Sequence, residues 1–272
     1  MAMKYRFSRA ATGCIGLFLL LLFFSGNVLA ANLTLERKIS QQLDNPALIG
    51  ESVWLETGNI RFFAILNESL ASELIGGVIL LHDTGQHADW HEIIAPLRHH
   101  LSEKGWDTLS IQLPVTSKLD LASNSLLSDA SLRIQAAVDY FSARENTNLV
   151  LIGHGLGAHM ALTYLAEAPS VSVRALVALS LSAESGKTES TVISSISSLK
   201  VPMFDLYGSL DRPNVTDSAK ARRAAGKKHL KEKYRQSEIM GANHDYTGLQ
   251  ESLQRRIEAW LKRVALGMEK PR

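Results

Sequence analysis

The residues of this chain best suited to chemistry lie in four short turns, each after an apolar run: Leu81-His82-Asp83-Thr84-Gly85, Gly153-His154-Gly155-Leu156-Gly157, Leu206-Tyr207-Gly208-Ser209-Leu210-Asp211 and Gly241-Ala242-Asn243-His244-Asp245. The last two supply a carboxylate, Asp211, and an imidazole, His244, the residue types that orient and move protons near neutral pH. The second is a tight glycine turn between the run 148–152 and an alanine-rich, helix-like segment from Ala158. Gly155 at its tip has no side chain and can attack nothing. The Leu156 N–H, at a helix N-terminus, can still bind an anion. Simpler roles compete: Asp211 also suits a turn or cap, His244 an ordinary loop, and His154 packing or capping rather than reaction.

Alternating elements must position these turns. Thr34–Leu43 reads as a polar helical lead-in, and 52–56 and 61–66 as strands around the turn signal Thr57-Gly58-Asn59, an opening hairpin. Gly77–Leu81 reads as a buried strand, Trp90–Leu101 as a helix and Thr108–Gln112 as the next strand. Between Ser125 and Ala143, Leu127, Ala130, Ile134, Ala137, Val138 and Phe141 share one helical face. Strands are expected at 148–152, 174–180, 202–207 and 234–239, with a last amphipathic helix over 248–263. The stretch 182–198, rich in Ser and Thr, reads as a loop or small cap. This alternation predicts an α/β fold with a mainly parallel central sheet and helices on both faces.

The four turns, in this order, resemble those of the α/β-hydrolase fold, and the resemblance runs from about Val53 to Leu261. In G-x-S-x-G the elbow carries the serine nucleophile; here Gly155 is a degenerate nucleophile position. The resemblance implies that Asp211 is the acid and His244 the base, so the order Gly155, Asp211, His244 is kept. It also implies an oxyanion hole built from the Thr84 region and the Leu156 N–H. Asp83 stands where glycine is usual, and a carboxylate there would oppose developing negative charge. The chain thus resembles secreted bacterial α/β-hydrolase-like proteins of unknown function, with a small or absent cap.

The first thirty residues read as a signal peptide. Lys4, Arg6 and Arg9 precede the apolar run Ile15–Phe24, and Val28-Leu29-Ala30 offers a cleavage site after Ala30. The apolar run is short of the roughly 20 residues of a spanning helix, so no stable transmembrane anchor is expected. Cleavage would leave 26 basic against 27 acidic residues and remove the only cysteine. The expected product is a single periplasmic or secreted domain, 31–272, without disulfides.

No phosphate-cradling or dinucleotide motif is present, so no cofactor is implied. His87, His91, His99 and His100 lack the spacing of a metal site, and no metal is expected. Lys220–Arg235 holds eight Lys or Arg and one Glu. That suits a solvated helix leading into a strand, or a face for anionic envelope material; nucleic acid is not an expected partner. The leading expectation is a non-catalytic protein that binds a small-molecule or envelope ligand, or a partner, in the former cleft. The alternative is a hydrolase or lyase acting on an ester, thioester or amide. It would use the His244–Asp211 dyad, or a displaced hydroxyl from Ser180, Ser182, Thr84 or Ser209.

Overall fold

The computed structural model describes residues 32–115, 124–167, 170–183 and 190–265, all within the compact unit Ala31–Arg272. The segment read as a signal peptide lies outside the described residues. Helix α1 (Leu33–Leu43) leads into strands β1 (Glu51–Thr57), β2 (Ile60–Asn67) and β3 (Gly76–Leu81), helix α2 (Ile94–Ser102) and strand β4 (Trp106–Ile111). Helix α3 (Asn124–Ala143), strand β5 (Leu149–His154), helix α4 (Leu156–Glu167), strand β6 (Val173–Leu179) and helix α5 (Thr191–Ser198) follow. The chain ends its described part with β7 (Met203–Leu210), α6 (Pro213–His229), β8 (Tyr234–Asn243) and α7 (Gln250–Val264).

The eight strands form one sheet in the order β1-β2-β4-β3-β5-β6-β7-β8. The β1–β2 hairpin pairs antiparallel, as the Thr57-Gly58-Asn59 turn predicts, and β2 pairs antiparallel with β4. All other neighbours are parallel. The apolar runs in the centre of the sheet are buried on both faces, as parallel strands covered by helices must be. On β3 and β5, Ile79, Leu81, Leu149 and Leu151 join the core under α3 and α4, whereas Val78, Leu80, Val150 and Ile152 face α2 and α7. The strand period of two divides one sequence between two cores.

Two expectations are corrected. Helix α2 begins at Ile94, not Trp90; Pro96 then falls in the first turn, where its missing N–H breaks no helical bond. The stretch expected as a loop or cap contains α5, whose serines and threonine gave no strong periodic signal. On α3 the predicted apolar face is buried together with Arg133, whose guanidinium holds the Glu36 carboxylate of α1 at 2.6 and 3.1 Å.

The sheet order places five strand ends side by side. Asp83 follows β3, Gly155 follows β5, Ser180 follows β6, Asp211 follows β7 and His244 follows β8. All lie at the carboxyl ends of parallel strands, where α/β sheets open a crevice.

Candidate active site

The turn after β5 is the expected elbow. Gly155 has φ +53°, a left-handed conformation costly for other residues, and the Leu156 N–H begins α4. Gly157 lets the helix approach β3 closely: a Cβ there would lie 2.5 Å from the Leu81 carbonyl oxygen.

The volume above Gly155 is filled. A Cβ on Gly155 would meet the Asp83 Oδ1 at 2.1 Å and its Cγ at 2.2 Å. The Asp83 carboxylate therefore stands where an elbow side chain would project. The Leu156 N–H donates to Asp83 Oδ1 at 2.6 Å, and the Thr84 N–H is next to this carboxylate in the chain. Of the donors expected to stabilise an oxyanion, Leu156 thus serves a resident anion. Asp83 Oδ2 lies 2.9 Å from His244 Nε2 and accepts from Arg212 Nη1 at 3.3 Å.

The expected pairing of acid and histidine is present in space. His244 Nδ1 lies 2.6 Å from Asp211 Oδ1, so the imidazole bridges two carboxylates. Burial by itself would lower the His244 pKa, but hydrogen bonds and charge from Asp211 and Asp83 raise it to about 9. At neutral pH the ring is an imidazolium that donates from both nitrogens. Burial would raise the Asp83 pKa, yet the hydrogen bonds from His244 and Leu156 hold this carboxyl well below the usual carboxylate range. Asp211 is also held low: burial opposes ionisation, but His244 and Ser180 hydrogen-bond to it.

The candidate replacement hydroxyls lie elsewhere. Ser180, itself at φ +52°, donates to Asp211 Oδ2 at 2.6 Å and lies 3.1 Å from the Tyr246 hydroxyl. It supports the acid; the base's Nε2 is taken by Asp83. Ser209 Oγ accepts from the exposed Gly241 N–H at 2.8 Å. Thr84 and Ser182 line the cleft without an observed hydrogen bond to His244.

His154 is fully buried, 3.1 Å from Gln86 Oε1 and 3.0 Å from the His244 carbonyl oxygen, and burial pushes its pKa down to about 4. It packs, in agreement with its reading from sequence. Ligand atoms of Asp83, His154 and His244 come within 4.8 Å of one another, a spacing that could hold a metal. Each histidine nitrogen already faces an oxygen partner: Gln86 and the His244 carbonyl for His154, Asp211 and Asp83 for His244. His87 and His91 flank the Trp90 ring, with centroid distances of 5.5 and 4.9 Å, and share no helix.

Sequence reasoning missed two members of this site. Asp83 was legible as an anomaly in an oxyanion turn but not as an occupant of the elbow. Arg212 had no signal beyond adjacency to Asp211. Over the site opens a cavity of about 470 Å³, lined by Asp83, Leu156, Ser180, His244 and residues at the starts of α5 and α6. A second cavity of about 170 Å³ lies on the other side of Asp83 and Leu156, with Leu35, Leu113 and Met160 in its wall.

Among solved structures the chain is similar to Est1E from Butyrivibrio proteoclasticus, with TM-score 0.62, 16% identity, and coverage of 78% of this chain and 98% of that one. It is similar to the esterase Pf2001 of Pyrococcus furiosus, with TM-score 0.64, 17% identity, and coverage of 79% and 92%. The dienelactone hydrolase of Anabaena variabilis gives TM-score 0.61 and 17% identity, covering 80% of this chain and 98% of that one. At these identities the likeness shows the fold alone. The search of curated proteins found no match. The model of a protein family of unknown function, DUF3530, matches residues 28–131 and 120–263. The chain has the α/β-hydrolase fold and belongs to the DUF3530 family.

Proposed function

We propose that this is an exported α/β-hydrolase-fold protein that lacks the serine mechanism and binds a small ligand in the former catalytic cleft without turning it over. One observation carries the reading: the Asp83 carboxylate fills the elbow volume and holds the Leu156 N–H and His244 Nε2 together. A nucleophile is missing, the Leu156 oxyanion donor is satisfied, and the base carries a proton at neutral pH. Loss of the triad nucleophile leaves only the residual catalysis of binding and the oxyanion hole, and here that hole is occupied too.

The 2.6 Å His244–Asp211 hydrogen bond favours the alternative, a hydrolase or lyase that uses this dyad as general base. That reading requires a free imidazole nitrogen, and Asp83 must first release it. Export rests on the basic and apolar pattern of residues 1–30. Among the described residues no helix is long and apolar enough to cross a membrane. The basic stretch offers Lys220, Arg223, Lys227, Lys228, Lys231, Lys233 and Arg235 as an exposed face for anionic envelope material, whereas Arg222 is buried on Asp205.

The test is a screen of purified protein against activated esters and thioesters, with a serine-reactive fluorophosphonate in parallel. The parent and Gly155→Ser should both be silent, because a serine at 155 collides with Asp83. The double variant Gly155→Ser/Asp83→Gly, which removes the occupant, should be labelled. Turnover by the parent that disappears in His244→Ala would overturn the reading in favour of the dyad enzyme.

A further inference from the structure

Three helix N-termini line the 470 Å³ cavity, and among the described residues that of α5 alone meets no acid. Leu156 starts α4, Thr191 and Val192 start α5, and Asn214 and Val215 lie in the first turn of α6; all line the cavity. The first N–H groups of any helix have no partner within it, and they carry the positive end of the helix dipole. At α4 the Asp83 carboxylate meets this demand. At α5 there is no side-chain cap hydrogen bond and no acidic residue in the first turn; at α6 the Arg212 N–H donates to Asp211 Oδ1 at 2.8 Å, Pro213 has no N–H and the Val215 N–H donates to the Arg212 carbonyl.

A second observation points to a ligand at the α5 end. Ser190, the N-cap of α5, is only 3% exposed and lines the cavity, yet its hydroxyl has no hydrogen-bond partner among the described residues. A buried hydroxyl left unpaired costs about 1–3 kcal/mol, which a bound acceptor would recover. Arg212, which also lines the cavity, touches only one oxygen of Asp83, at 3.3 Å through Nη1, and its side chain is 55% exposed. Among the described residues its other guanidinium N–H groups have no observed side-chain acceptor.

The charges already in the site nearly cancel. Asp83 and Asp211 are balanced by the imidazolium of His244 and by Arg212. Among the described lining residues Asp83 is the one carboxylate, and it is tied to Leu156. The positive end of α5 and the remaining Arg212 donors are therefore left for an external anion. Leu156, Ala183, Val192 and Val215 give the wall an aliphatic part, beside polar residues that include Ser182 and Asn214.

We propose that the cavity is a binding site for a small aliphatic organic acid. The ligand's carboxylate lies between the Ser190 hydroxyl, the α5 N-terminus and Arg212, and its alkyl body lies against Leu156, Ala183, Val192 and Val215. The proposal rests on the non-catalytic reading of the cleft and names the chemical class of its ligand.

The experiment is titration calorimetry of the purified protein with sodium octanoate, with octanamide as a neutral match and inorganic phosphate as a free anion. Octanoate should bind at least about tenfold more tightly than octanamide, the worth of a charge-assisted hydrogen bond. Phosphate alone should bind more weakly, because it leaves the aliphatic wall uncovered. Ser190→Ala and Arg212→Gln should each lower octanoate affinity about tenfold and octanamide affinity less, because the neutral amide gains only an ordinary hydrogen bond there. Both substitutions are expected to keep the thermal midpoint of the parent, which separates loss of binding from loss of fold. Failure of octanoate to bind at millimolar concentration overturns the proposal, as does equal affinity for octanamide. Phosphate binding as tightly as octanoate overturns the aliphatic acid as ligand. His244-dependent ester turnover would instead defeat the non-catalytic reading while leaving the octanoate preference measurable.

Discussion

Strand β7 and the turn that follows it carry two buried aspartates six residues apart, and they serve opposite ends. Asp205, in the strand, accepts from Arg222 Nε at 2.8 Å, from the Tyr234 hydroxyl at 2.8 Å and from Gln236 Nε2 at 2.9 Å. Its partner cannot lose its proton at any ordinary pH, and both side chains are fully buried. Asp211, beyond the strand's carboxyl end, is paired with a histidine that a second carboxylate also holds, at the floor of a cavity. The first network is a closed tie between β7, β8 and α6. The second is an open, titratable one, whose central proton depends on Asp83. Burial is similar in the two; what differs is whether the cation can change its charge and whether a cavity adjoins it.

The largest test of this contrast is Arg222→Met, which leaves Asp205 buried without its cation. Breaking a buried pair costs about 3–5 kcal/mol, so the urea midpoint should fall steeply at every pH. Asp83→Asn should cost less, about 2 kcal/mol, because the amide can still accept from the Leu156 N–H. It should also lower the His244 pKa, as read from the imidazole resonances, since one of its two anionic partners is gone. Equal stability losses in the two variants would erase the distinction.

A pH series sharpens the contrast further. The folded His244 pKa is raised to about 9, against about 6.5 in an unfolded chain. Its contribution to stability is therefore complete below pH ~6.5 and is lost as pH rises through ~9. Stability of the parent should fall by a few kcal/mol across this window. In Asp83→Asn the loss should be smaller and end at lower pH. Arg222→Met should keep the parent's slope, because it leaves His244 untouched. The smallest effect belongs to Arg212→Gln: its partly exposed contact with Asp83 should be worth about 0.5 kcal/mol or less in a urea melt.

The fold was largely legible because strand and helix periods are local. The apolar runs at 77–81 and 148–152, and the helical face from Leu127 to Phe141, each report burial within a few residues of chain. Helix α5 was missed for the same reason: Ser and Thr have weak helical preference, and its packing against α4 and α6 decided the matter. The site was legible in type but not in contact. The positions of Asp211 and His244 after their strands anticipated a pair, and Asp83 was visibly out of place in a turn that favours glycine.

By itself the sequence determined that Gly155 supplies no nucleophile, that the strand–turn–helix order of an α/β hydrolase is kept, and that an acid and a histidine follow in the usual order. Tertiary structure alone decided what takes the nucleophile's place. The sheet order sets β3 beside β5 and brings Asp83 over Gly155, a residue 72 positions later in the chain. It also gathers the starts of α4, α5 and α6 around one cavity. Local spacing fixes the geometry within a turn, whereas the partner of a buried charge is whichever residue the sheet's through-space order sets against it.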